Sequence, residues 1–123
     1  MKKLVNGVHH ININCDSAAQ LSEIKAFYCD LLGMEILLET PDRLMLDMGG
    51  SQLEVFANGG THCKGAIRHF ALDVPDTAAC VEAVRAAGYP ITMEVTRIPD
   101  PAVIAFCTGP VGEEIEFFQT SNL

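Results

Sequence analysis

Two stretches of this chain, roughly 60 positions apart, present the same order of chemistry. His10-Ile-Asn-Ile-Asn-Cys15 and His69-Phe-Ala-Leu-Asp-Val74 each open on a histidine and continue with apolar residues at alternate positions. Each is followed by a helix-like segment that ends in glycine, Leu31-Leu32-Gly33-Met34 in one case and Ala86-Ala87-Gly88-Tyr89 in the other. A glutamate-bearing apolar run then closes each copy: Gln52-Leu-Glu54-Val-Phe56 and Glu114-Ile-Glu116-Phe-Phe118. A period this long exceeds a solenoid repeat, so the chain reads as two copies of one supersecondary motif.

Periodicity fills in the motif. Residues 7–15 alternate as a strand does, while 17–32 carry helical spacing through Leu21, Ile24, Phe27, Tyr28, Leu31 and Leu32. Asp16 or Ser17 can cap that helix at its start and Gly33 at its end. Strands are predicted near 35–40, 43–48 and 51–57. The second copy predicts a strand over 67–74, a helix over 77–87 opened by Asp76, and strands near 91–96, 102–107 and 113–119. Both copies read βαβββ. The expected fold is α+β, with two βαβββ modules forming a concave mixed sheet in a single structural domain. The first module spans 1–58 and the second 66–123, joined by a turn-rich connector over 59–65.

Composition removes several alternatives. With 49% hydrophobic and 20% charged residues, the chain can bury a core without disulfide staples. The net charge is −8 and the eight Lys and Arg are scattered, so the clustered cations that bind nucleic acid or anionic lipid are missing. The sequence shows neither an apolar run of membrane-spanning length nor an apolar signal core in its opening residues, and a cytoplasmic location is expected. Five cysteines, an odd number without a CxxC pair, read as reduced thiols.

Alternation also sorts the strand faces. Ile11 and Ile13 oppose His10, Asn12 and Asn14; Leu53 and Val55 oppose Gln52, Glu54 and Phe56. In the second copy Phe70 and Leu72 oppose His69, Ala71 and Asp73, while Ile115 and Phe117 oppose Glu114, Glu116 and Phe118. The purely apolar faces suit a covering helix. The other faces carry His10, Glu54, His69 and Glu116, a mixed nitrogen and oxygen set that borderline divalent metals accept. A lone histidine at a strand start is ordinarily a surface or core residue, and a lone strand glutamate ordinarily faces water. Recurrence at matching places in both copies is what singles this set out. His9, next to His10, is expected on the opposite face, and His62 and Cys63 are expected to be plain connector residues. Phe56, Phe106 and Phe118 suit either a pocket lining or core, and the methionines suit packing.

The segments VHHINI, FYCDLLGME, QLEVF, RHFALDV and GPVGEEIEFFQ together resemble the vicinal oxygen chelate superfamily, which includes glyoxalase I, epimerases, extradiol dioxygenases, and fosfomycin and bleomycin resistance proteins. The resemblance spans nearly the whole chain. It implies metal ligands from the first, fourth, fifth and eighth strands, at His10, Glu54, His69 and Glu116. A glutamate at position 54 resembles glyoxalase I (lactoylglutathione lyase), and short bacterial proteins of that type are served by nickel or cobalt, with zinc or iron as the alternatives. The implied function is a metal-dependent lyase or isomerase acting on a hemithioacetal or similar small molecule with neighbouring oxygens. Its reaction would run through an enediolate, with Glu116 moving the proton and Glu54 assisting. An epimerase or iron-dependent dioxygenase on the same scaffold, and a metal-free drug- or metabolite-binding resistance protein, are the competing readings. The resemblance also implies a homodimer. Arg43, Lys64, Arg68 and Arg97 are candidate cations for glutathione, though each is more readily read as an ordinary solvated surface charge. The sequence departs from the family in a first helix about one turn longer and in Gly109-Pro110-Val111-Gly112 before the last strand.

Overall fold

The computed structural model describes residues 8–57, 69–99 and 101–123. It consists of two compact units, Met1–Thr61 and His62–Leu123. The elements of the first are β1 (His10–Cys15), α1 (Ala18–Lys25), a π-helical turn (Ala26–Leu31), β2 (Ile36–Thr40), β3 (Arg43–Asp47) and β4 (Gln52–Ala57). Those of the second are β5 (Phe70–Asp73), α2 (Thr77–Ala86), β6 (Ile91–Ile98), β7 (Ala102–Thr108) and β8 (Glu114–Gln119). Each unit is therefore βαβββ and the class is α+β, as the periodicity predicts. The connector lies outside the described residues, as do His62, Cys63, Lys64 and Arg68.

Each unit forms one four-stranded mixed sheet, in the orders β1-β4-β3-β2 and β5-β8-β7-β6. The first strand of each unit runs parallel to the last, and the remaining pairs are antiparallel hairpins. Parallel neighbours need a long crossover, which in each unit contains the helix and two strands. Apolar residues of one parity make the core under that helix. Leu44, Leu46, Leu53 and Val55 are buried beside Leu21 and Ile24 of α1; Ala105, Cys107, Ile115 and Phe117 are buried beside Val81 and Val84 of α2.

Both helices start on side-chain caps. Ser17 Oγ accepts from Gln20 N, and an Asp76 carboxylate oxygen accepts from Ala79 N at 3.1 Å. Both reverse out through a glycine with positive φ, Gly33 at 82° and Gly88 at 91°, a backbone state that costs other residues more. The single helix predicted over 17–32 is in fact two pieces. After Lys25 the bonding widens to the π pattern, with Leu32 N donating to Phe27 O at 3.1 Å. The wider turn buries the adjacent Phe27 and Tyr28 together, their rings edge to face at 5.0 Å. Apolar spacing averaged over several turns does not register one inserted residue.

In the second unit a buried polar clip ties α2 to the sheet. Thr77 Oγ1 donates to Val103 O at 2.9 Å, and Thr77 N donates to Gln119 Oε1 at 2.9 Å. The Gln119 amide in turn donates to Ser121 O at 2.7 Å. Gln119→Leu leaves a buried N–H without its acceptor, so it should lower unfolding free energy by about 1–3 kcal/mol in urea denaturation.

Burial also raises the thiols of Cys15, Cys29 and Cys80, and pushes Cys107 from its ordinary 9.0 up to about 12. A folded state that holds the proton more tightly than the unfolded chain loses stability as pH rises past the unfolded value. The Cys107 contribution is complete below pH 9 and is lost progressively up to about pH 12. Cys107→Ala should therefore flatten the alkaline limb of a stability-versus-pH curve measured from pH 8.5 upward.

Candidate functional site

The parallel pairs fix where the predicted site residues fall. In the first unit His10 lies opposite Gln52, and Asn12 opposite Glu54. Paired residues share a face, so His10 and Glu54 stand on the same side of the sheet, one rung apart. In the second unit Ala71 lies opposite Glu116, and His69 just precedes that strand, again one rung from the glutamate. The repeat in the sequence is thus a repeat in register.

The second unit brings its pair into contact. His69 Nε2 and Glu116 Oε1 are 3.2 Å apart. Glu116 is only 9% exposed, on a rung between Ala71 and Phe106, and the His69 ring stands edge to face on Phe106 at 5.0 Å. A carboxylate buried beside an aromatic ring is costly without a partner, and the imidazole supplies one. The tautomer with its proton on Nε2 serves Glu116. It leaves Nδ1, which is buried and has no hydrogen-bond partner among the described residues, as a bare lone pair.

The first unit resolves the same problem differently. Arg43 on β3 sits on the Phe56 rung and reaches Glu54, with Nη2 at 3.1 Å from Oε2. Its guanidinium lies 5.2 Å from the Phe56 ring centroid, and the same Nη2 is 3.0 Å from Met45 Sδ. Asn12 Nδ2 donates to the Glu54 backbone oxygen at 3.2 Å. His10 is exposed, and its Nδ1 is 3.0 Å from Nδ1 of His9, one ring acting as donor and the other as acceptor. The expectation that His9 turns away does not hold. It precedes β1, where strand alternation no longer applies, and its ring meets the His10 ring edge to face.

Arg43 is the residue whose place the sequence reading missed. Its parity was a signal: Arg43, Met45 and Asp47 alternate with buried Leu44 and Leu46, which puts the arginine on the Glu54 face. Arg97, another candidate cation, is exposed on β6. Phe56 and Phe106 belong to the polar faces, since they pair with Asn14 and Glu116.

The donor chemistry fits a divalent metal best in the second unit. Two atoms each roughly 2.1 Å from one ion are separated by roughly 3.0–3.4 Å in octahedral or tetrahedral arrangement, and the His69–Glu116 distance falls inside that range. In the first unit the Glu54 carboxylate is engaged by Arg43. Among the described residues no group of three or more His, Cys, Asp or Glu side chains is gathered as a ready-made cluster. Also among the described residues, no helix is long and apolar enough to cross a membrane.

Comparison with known proteins agrees with this architecture. Lactoylglutathione lyase from Agrobacterium tumefaciens is similar in structure with a TM-score of 0.71 and 20% identity, over 96% of each chain. A glyoxalase-related enzyme from Fulvimarina pelagi gives 0.76 and 18%, over 94% of this chain and 89% of its own. TnmS3, an antibiotic binding protein from Streptomyces sp. CB03234, gives 0.76 and 18%, over 98% of this chain and 100% of its own. At these identities the likeness speaks for the fold. Comparison with curated proteins gave no match. The profile of the Glyoxalase/Bleomycin resistance protein/Dioxygenase superfamily matches residues 7–117, and the chain belongs to that superfamily.

Proposed function

We propose that this protein is a metal-dependent lyase or isomerase resembling glyoxalase I, with His10, Glu54, His69 and Glu116 as the residues that hold a divalent cation. The observation that carries the reading is the His69–Glu116 contact at 3.2 Å, in a register that His10 and Glu54 repeat. Nickel or cobalt suits two imidazoles and two carboxylates, and zinc or iron is also compatible with them. When bound, such a cation polarises neighbouring substrate oxygens and stabilises the negative charge that develops on them.

The protein side chains do the rest. Glu116 is the proton carrier: it is buried beside Phe106, where little water competes, and one carboxylate oxygen takes a proton from carbon and returns it to the neighbouring carbon. In the metal-free protein His69 holds that carboxylate in place. Glu54 is assigned the assisting role, and Phe106, opposite Glu116, gives that carboxylate an apolar neighbour. The substrate class is a hemithioacetal or a similar small molecule with vicinal oxygens. A homodimer is the expected assembly.

One observation favours a second reading, a metal-free protein that sequesters a drug or metabolite. Arg43 already neutralises Glu54, so one of the four carboxylate or imidazole groups is satisfied without an ion.

Elemental mass spectrometry on the purified protein separates the two readings. The lyase reading expects about one divalent ion per chain, reduced in His69→Ala. No ion after reconstitution with nickel, cobalt, zinc and iron in turn would leave the sequestering reading in possession. Glu116→Gln should keep most of the metal and lower turnover of a hemithioacetal by roughly 100- to 10,000-fold, the range ascribed to a positioned acid–base group.

A further inference from the structure

Glu54 differs from Glu116 in one respect that bears on metal loading: a permanent cation already holds it. Arg43 Nη2 is 3.1 Å from Glu54 Oε2, and the Glu54 side chain is 17% exposed. The guanidinium is itself fixed. It lies over Phe56 at 5.2 Å, contacts Met45 Sδ, and has its Nε buried with no hydrogen-bond partner among the described residues. A guanidinium carries five N–H donors and no lone pair to offer a metal, so Arg43 can only compete for Glu54 and cannot join it as a ligand. A divalent ion approaching Glu54 meets a carboxylate whose charge is spent and a like charge beside it.

We propose that Arg43 is a built-in competitor for the Glu54 carboxylate, occupying it in the metal-free protein and setting the affinity with which a divalent cation is taken up. The inference rests on the metal-site reading above. In the metal-free state the pair keeps a largely buried carboxylate from standing alone beside Phe56 and Met45. Loading replaces the guanidinium–carboxylate contact, so its strength is subtracted from metal affinity. Among the described residues of the second unit no such cation holds Glu116, whose partner is the His69 imidazole. Arg43 is thus a positioning residue that acts through Glu54.

The test is calorimetric titration of metal-stripped protein with Ni²⁺ alone, comparing wild type, Arg43→Gln and Arg43→Met, with thermal unfolding confirming that each is folded. Met retains apolar bulk over Phe56 where Gln fails to fold. Removing a charge-assisted hydrogen bond from the metal-free side should tighten Ni²⁺ binding roughly ten- to a hundred-fold. Unchanged or weaker binding in a folded variant, with wild type binding Ni²⁺, overturns the competitor role and leaves the metal site standing. No binding by any of the three proteins overturns both.

Discussion

In each unit the first strand lies parallel to the last, and that one pairing decides which side chains meet. His10 opposite Gln52, and Phe70 opposite Ile115, set the parity of both sheets. Residues of one parity, such as Leu53, Val55, Ile115 and Phe117, go under the helix, and residues of the other carry the histidines and glutamates. A slip of one residue would turn Leu53 outward and bury Glu54 against α1, so the apolar core enforces the chemical face. The two properties are inseparable in this fold.

The units share a backbone rule and differ in how they satisfy it. Both place a glutamate beside an aromatic ring on the polar face, where a carboxylate needs a partner. Glu116 finds an imidazole on its own parallel strand pair; Glu54 finds a guanidinium across the hairpin. An imidazole has a nitrogen lone pair to offer a metal, whereas a guanidinium has none. The two sheets are equivalent as architecture and unequal as chemistry.

Most of the fold was legible because alternation and helical spacing are local properties. Ile11, Leu53, Phe70 and Ile115 announce their faces without knowledge of their neighbours, and Gly33 and Gly88 mark where helices must reverse. The facing of His10, Glu54, His69 and Glu116 followed from the same parity. What was not legible depends on neighbours in space. The partner of Glu54 depends on the β3–β4 register, in which Arg43 falls opposite Phe56. The π turn depends on two adjacent aromatic residues needing burial at once, which the average spacing of Leu21, Ile24 and Leu31 conceals. His9 went astray because alternation was extended one residue past the strand.

The parallel pairing also orders the assembly of the protein in time. Hairpins β2–β3 and β3–β4 close over short turns and lose little chain entropy, whereas Asn12 must find Glu54 across 42 residues. Contacts of such separation are the slow ones in folding, since the loop must close before the contact repays it. Each sheet is built from strands of its own half, so each half meets this barrier with its own helix and hairpins already available. The His69–Glu116 contact, between residues far apart in the chain, depends on that long closure, whereas the Arg43–Glu54 contact needs only the β3–β4 hairpin.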